Sequence, residues 1–164
     1  MGKLELVIES DHVSIYSPKY DGEMQTEFEK FMSDNCDMEN PQLKKDFDAI
    51  IAAIKKIIDD CGARENLFRP EGNNIKAIPL CIEQRRGKGV GTLRLYCIRI
   101  SGKILIIGNG GIKRVKRYED DPILLDIVNK LRSIEHQIFI GTRKIHADYD
   151  DYQKVKMIIE AITI

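Results

Sequence analysis

An α+β fold follows from the order of the apolar patterns along the 164 residues. Residues 23–61 carry apolar side chains at helical spacing. Residues 75–108 are Ile- and Leu-rich runs broken by glycine turns, and residues 121–162 return to helical spacing. Added to a strand-like opening, this gives an N-terminal strand and two helices, then an antiparallel β-meander, then C-terminal helices. The length favours a single domain over 1–164, with 139–164 a C-terminal extension. At 43% apolar and 32% charged residues the chain can bury a real core, which excludes disordered and fibrous classes.

The opening segment KLELVIES alternates Leu4, Leu6 and Ile8 with Glu5 and Val7, as a strand does. A second short strand spans His12–Ser17 and ends at Pro18. Met24, Phe28, Phe31 and Met32 place a helix over 23–34. The next helix has clear ends: Asn40 caps it, Pro41 fits its first position and Gly62 stops it. Its stripe of Leu43, Phe47, Ile50, Ile51, Ile54, Ile57, Ile58 and Cys61 is accounted for by core packing. A polar connector over 63–74, with Pro70 and Gly72, leads to strands at Ile75–Glu83, Thr92–Ser101 and Lys103–Gly108. Glycines and cations at 85–91 make a hairpin loop, and Ser101-Gly102 makes a tight antiparallel turn. After Gly108-Asn109-Gly110-Gly111, the segment 112–118 reads as a last strand or its frayed end. Asp121 then caps a helix that begins at Pro122 and buries Ile123, Leu124, Ile127, Val128, Leu131, Ile134 and Ile138. A final helix over 148–162 packs Tyr152, Val155, Ile158, Ile159 and Ile162.

Several function classes drop out early. No apolar run approaches the roughly 20 residues that cross a bilayer. The start has acids inside its apolar stretch, and Leu6 stands where myristoylation wants Ser or Thr. A soluble, cytoplasmic protein with no membrane association is expected. Cys36, Cys61, Cys81 and Cys97 form no C-x-x-C pair and read as buried free thiols. His12, His136 and His146 are scattered, so neither a metal nor another cofactor is expected.

Zero net charge hides a segregated distribution. Residues 84–118 hold ten basic side chains and no acidic one, against a net −10 for the rest of the chain. Solvated strand edges often gather Lys and Arg. Here, however, the cations alternate with the most strand-like sequence in the chain, which displays them on a rigid sheet. Such a field attracts polyanions. Arg85, Arg86, Lys88, Tyr96, Arg99, Lys116 and Arg117 are the candidate RNA-binding residues.

Familiar motifs fail. Gly87–Gly91 precedes a strand rather than a helix, so it is no Walker A loop, and no dinucleotide fingerprint is present. Glu119, Asp120 and Asp121 fall at a helix start, where acids complement the dipole. The constellation that remains is Arg94 on one strand and Lys113, Arg114 and Tyr118 after the next, with Arg94 placed opposite 108–110. Cations and a phenol can cut RNA without a metal. One group takes the proton of a ribose 2′-hydroxyl, which attacks the adjacent phosphate; arginine stabilises the phosphorane, and a donor protonates the leaving 5′-oxygen. A lysine can be the base only if neighbouring cations lower its pKa.

The run Leu93-Arg94-Leu95-Tyr96-Cys97-Ile98-Arg99-Ile100, then Lys103–Ile107, then Asn109–Arg114 and on to Asp121-Pro122, resembles the RelE/ParE superfamily of bacterial toxins, its phage-derived HigB-like branch above all. The resemblance implies a RelE-like fold and ribosome-dependent cleavage of translated mRNA, neutralised by a small antitoxin partner. It puts the family's strand arginine at Arg94, its basic pair at Lys113 and Arg114, and its late catalytic aromatic near Tyr118. A non-catalytic nucleic-acid- or protein-binding module on the same fold is the competing expectation. Docking of the +10 segment on an acidic surface of a second copy would make an oligomer.

Overall fold

The computed structural model describes residues 1–72, 74–79 and 90–164. It is mixed α+β, with helices before and after a sheet in the expected order. The strands are β1 (Lys3–Glu9), β2 (Ser14–Lys19), β3 (Arg69–Pro70), β4 (Ile75–Ile78), β5 (Thr92–Ser101) and β6 (Ile104–Lys113). Across the sheet they run β1-β2-β6-β5-β4-β3. Strands β3 to β6 form the antiparallel meander, whereas β2 pairs with β6 in parallel over Ser14–Tyr16 and Ile104–Ile106.

Helices α1 (Glu27–Asn35) and α2 (Pro41–Lys56) cover one face, and α3 (Pro122–Lys144) and α4 (Tyr152–Ala161) cover the other. Phe31, Leu43, Ile50 and Ile54 pack on Ile15, Leu93, Leu95 and Cys97. Leu124, Val128, Leu131, Ile134 and Ile159 pack on Tyr16, Tyr96, Ile98 and Ile106. No helix of the described residues is long and apolar enough to cross a membrane.

The helix caps are where the sequence puts them. The Asn40 side chain accepts the Gln42 and Leu43 amides, and Asp121 accepts those of Ile123 and Leu124. Helix α2 leaves through a π-helical turn, Ile57–Cys61, and stops at Gly62, whose φ is +67°. A Cβ there would come 2.6 Å from the Gly102 carbonyl oxygen, so the helix end is pressed against the β5–β6 turn.

Several expectations need correcting. Strand β6 does not end at Gly108: the glycines keep it paired to β5 as far as Lys113. Pro18 lies inside β2, opposite Leu4, beyond the last position paired to β6. The alternation in β1 is broken by a shift in register between Leu6 and Ile8, which leaves Leu6 exposed. Ile123 is also exposed, because the buried stripe of α3 runs through Leu124, Val128 and Leu131, about 100° away around the helix. Helix α3 itself runs on through position 139 to Lys144. Of the cysteines, Cys97 is buried but Cys36 is exposed, at the polar C-terminus of α1 between Asn35 and Asp37. The end of the expected 75–83 strand, Cys81, and the loop cations Arg85, Arg86 and Lys88 lie outside the described residues.

Candidate functional site

The β5–β6 register decides which side chains meet. Arg94 lies opposite Gly111 and Thr92 opposite Lys113, slightly farther along than the 108–110 expected for Arg94, because the ladder shifts between Leu95 and Cys97 and again between Arg99 and Ser101. Opposed residues share a face, and successive residues alternate. Arg94, Tyr96 and Lys113 therefore point to the α3 side, and Leu93, Leu95 and Cys97 to the α1–α2 side.

Arg94 is only 3% exposed. One guanidinium nitrogen, Nη1, donates to the Pro79 carbonyl at 3.1 Å, while Nε finds no partner. Burial, then the charge of Arg69, lowers its pKa. Tyr96 is fully buried, its hydroxyl is unpaired, and burial pushes its pKa up. Its ring meets that of Tyr118 edge-on, with centroids 6.2 Å apart. The ring of Tyr118 is buried in the turn Tyr118–Asp120, and its hydroxyl accepts a hydrogen bond from Arg132 of α3, whose guanidinium also lies over the ring. Burial raises the Tyr118 pKa, and the charge of Arg132 opposes that rise.

Lys113 is half-buried. Desolvation is the main cause of its lowered pKa; Arg94 and Arg69 push the same way, against Glu71 and Glu119. Arg114, Lys116 and Arg117, which follow it in the chain, are exposed, Arg117 within 3.5 Å of Glu119. Beside Arg114 a cleft of about 300 Å³ opens along Gly110 and Gly111 toward Asp121 and Leu124 at the start of α3.

Arg99 is not part of this cluster. It faces the other side of the sheet, where its Nε donates to the Ala63 carbonyl at 2.6 Å and ties β5 to the chain leaving α2. The structure adds three residues that the sequence reading passed over: Arg69 and Glu71 from the polar connector, and Arg132. The Glu71 side chain is 10% exposed, with Oε1 3.7 Å from Arg69 Nε and without a hydrogen-bond partner. The signal for Arg132 was its place four residues, about one turn, after Val128 on the buried stripe of α3. Glu71 and Arg69 carried none, because their approach depends on a two-residue strand at the sheet edge. Among the described residues no three His, Cys, Asp or Glu side chains converge as a metal site requires.

The arrangement thus pairs a half-buried amine of lowered basicity with exposed guanidinium groups, a phenol and an adjoining cleft. Such a set can accept a proton, hold a negative charge and return a proton. Comparison of the chain with family models, with curated proteins and with solved structures finds no match in any of the three.

Proposed function

We propose that the protein is a metal-independent endoribonuclease that cleaves translated mRNA at the ribosome, the RelE-like toxin of a toxin–antitoxin pair. The observation that supports this most is the half-buried placement of Lys113 on the sheet face of Arg94, with the exposed Arg114 next in the chain; burial and the charges of Arg94 and Arg69 favour its neutral form. The neutral Lys113 amine takes the proton of a ribose 2′-hydroxyl. The 2′-oxygen attacks the adjacent phosphorus, the bond to the 5′-oxygen breaks, and a 2′,3′-cyclic phosphate is left. Arg114 faces the charge that gathers on the phosphorane. Arg94, buried against Pro79, acts through Lys113 and is a positioning residue in this scheme. Tyr118 is as buried as Arg94 and its hydroxyl accepts from Arg132, so it is a positioning residue too, and the 5′-oxygen takes its proton from water. A small antitoxin protein that covers the cations would silence the site, and the reaction belongs in the cytoplasm, where ribosomes translate.

Inducible expression in a bacterium tests this reading, with growth followed and mRNA 5′ ends mapped. Growth arrest with new ends inside translated messages is expected for the wild type. Both should disappear in Lys113→Ala, and Lys113→Arg should not restore them, because a guanidinium stays charged and cannot act as base. Normal growth of cells rich in folded protein, with no new ends, would rule the reading out.

One observation favours the second reading, a non-catalytic nucleic-acid-binding module. Arg94 is too deeply buried to touch a phosphate. In that case RNA is bound through Arg114, Lys116 and Arg117 and recovered uncut.

A further inference from the structure

Among the described residues, three side-chain atoms are buried without a hydrogen-bond partner: Glu71 Oε1, Arg94 Nε and Tyr96 OH. Buried polar atoms are ordinarily paired, so such exceptions call for a reason. These three belong to one neighbourhood. Arg69, Ala77 and Tyr96 form a row across β3, β4 and β5. Glu71 follows Arg69 by two residues, and Arg94 precedes Tyr96 by two. A tight turn fixes Glu71 there: its amide donates to the Ile75 carbonyl at 2.9 Å, the Ile75 amide donates to the Gly72 carbonyl, and Gly72 has a φ of +104°.

A single buried carboxylate therefore acts on Arg69, Arg94 and Lys113, while its Oε1 is hydrogen-bonded to none of them. Charges held this way act through space rather than as a clamp. The charged groups that bear on Lys113 are Glu71 and Glu119 on one side and Arg94 and Arg69 on the other. Glu119 is exposed and engaged with Arg117, so solvent screens it, whereas Glu71 is enclosed.

Resting on the reading of Lys113 as the base, we infer that Glu71 is a positioning residue of the site, whose enclosed negative charge offsets Arg94 and Arg69 beneath Lys113 and so sets how readily the lysine amine holds a proton. Removing the carboxylate leaves the two guanidinium groups opposed at Lys113 only by the solvent-screened Glu119 and drives the amine toward its neutral form. Removing Arg94 does the reverse.

The test is an NMR titration of the Lys113 ε-methylene in the full chain, beside the pH profile of RNA cleavage. Glu71→Gln should lower the Lys113 midpoint by about half a pH unit, the order expected for one charge at this range in a half-buried setting. Arg94→Met should raise it, and Glu71→Asp, which keeps the charge, should stay near wild type. The acid limb of cleavage should move in the same direction as the midpoint in each variant. Should Glu71→Gln fail to fold, Arg94→Met still has to raise the midpoint. Unchanged midpoints in the folded variants overturn the inference even if cleavage persists. Shifted midpoints in a protein that cuts no RNA uphold the control by Glu71 and remove the catalytic reading instead.

Discussion

A Cβ on Gly110 would lie 1.8 Å from the carbonyl oxygen of Arg94. Gly110 sits opposite Leu95, at the irregular step of the β5–β6 ladder, so β6 passes the β5 backbone more closely than any side chain allows. This close approach is what carries the pairing on to Thr92 and Lys113 and brings Lys113 to the face of Arg94. Gly110→Ala must push the strands apart where the site is aligned. We expect a loss of about 3 kcal/mol, the upper range for forced overpacking, read from the urea midpoint. Gly22→Ala is the comparison, since nothing lies within 4 Å of a Cβ there and only its φ of +80° resists. That change should cost about 1 kcal/mol. Equal losses at the two positions would contradict the close-approach account.

Asp46 of α2 accepts the Leu93 amide at 2.9 Å, joining elements 47 residues apart. The carboxylate is buried, and the amide belongs to the second residue of β5. Asp46→Ala should destabilise by about 1–3 kcal/mol, because it strands a buried amide donor. Asp46→Asn retains an acceptor oxygen and should lose less. Denaturant unfolding of both variants decides the matter, and an alanine variant as stable as wild type would mean that water reaches this amide.

What was legible in the sequence shares a cause: it was written in neighbouring residues. Asn40-Pro41 and Asp121-Pro122 start helices by local hydrogen bonds and a fixed φ, and both caps are found in place. Strand β5 was readable from Thr92 to Ser101 because its alternation fits two different helix layers. The parallel contact of β2 with β6 was not readable, since it joins residues 90 apart and leaves no trace in either strand. Glycines misled the reading of β6. At 108–111 they resembled a strand end, whereas Gly110 is there because the strand continues. In the candidate site, Arg94 and Tyr96 could be placed on one face by counting alternation, and Lys113 only at the same end of the sheet, since its face depends on the register of β6. Glu71 could not, because a two-residue strand and a glycine turn bring it in from the connector. Burial was hidden too: Arg94 reads as an exposed cation until Pro79 is seen to accept from it.

Raising the pH should unfold the protein through its tyrosines. Tyr16, Tyr20, Tyr96, Tyr118 and Tyr149 all have pKa values above the ordinary phenol value of 10.0, with burial the leading cause in each. For Tyr20 the value is pushed up to about 12. A raised folded-state pKa means that the unfolded chain loses these protons first, so stability is intact below pH 10 and falls as pH rises through 12. The phenolate absorbance should rise late and steeply, together with loss of helical circular dichroism. A gradual absorbance rise centred near pH 10, with the fold intact, would show that these hydroxyls reach solvent.

Salt should expose which cations meet phosphate. Arg114, Lys116 and Arg117 are exposed, whereas the Arg99 Nε is committed to the Ala63 carbonyl. Each phosphate neutralised on single-stranded RNA adds about −0.7 to the slope of log affinity against log salt. Three contacts give a slope near −2, or a loss of about 20-fold between 50 and 200 mM salt. Arg114→Ala and Lys116→Ala should each flatten the slope by about 0.7, measured by fluorescence anisotropy with a labelled single strand. Arg117→Ala should flatten it less, because Glu119 already draws on that charge. Arg99→Ala should leave the slope alone and lower the unfolding midpoint, since it frees a carbonyl where β5 is tied to the chain leaving α2. The opposite pattern, a flattened slope for Arg99→Ala and none for Arg114→Ala, would put the RNA on the sheet face of Arg99 and leave Arg114 out of its path.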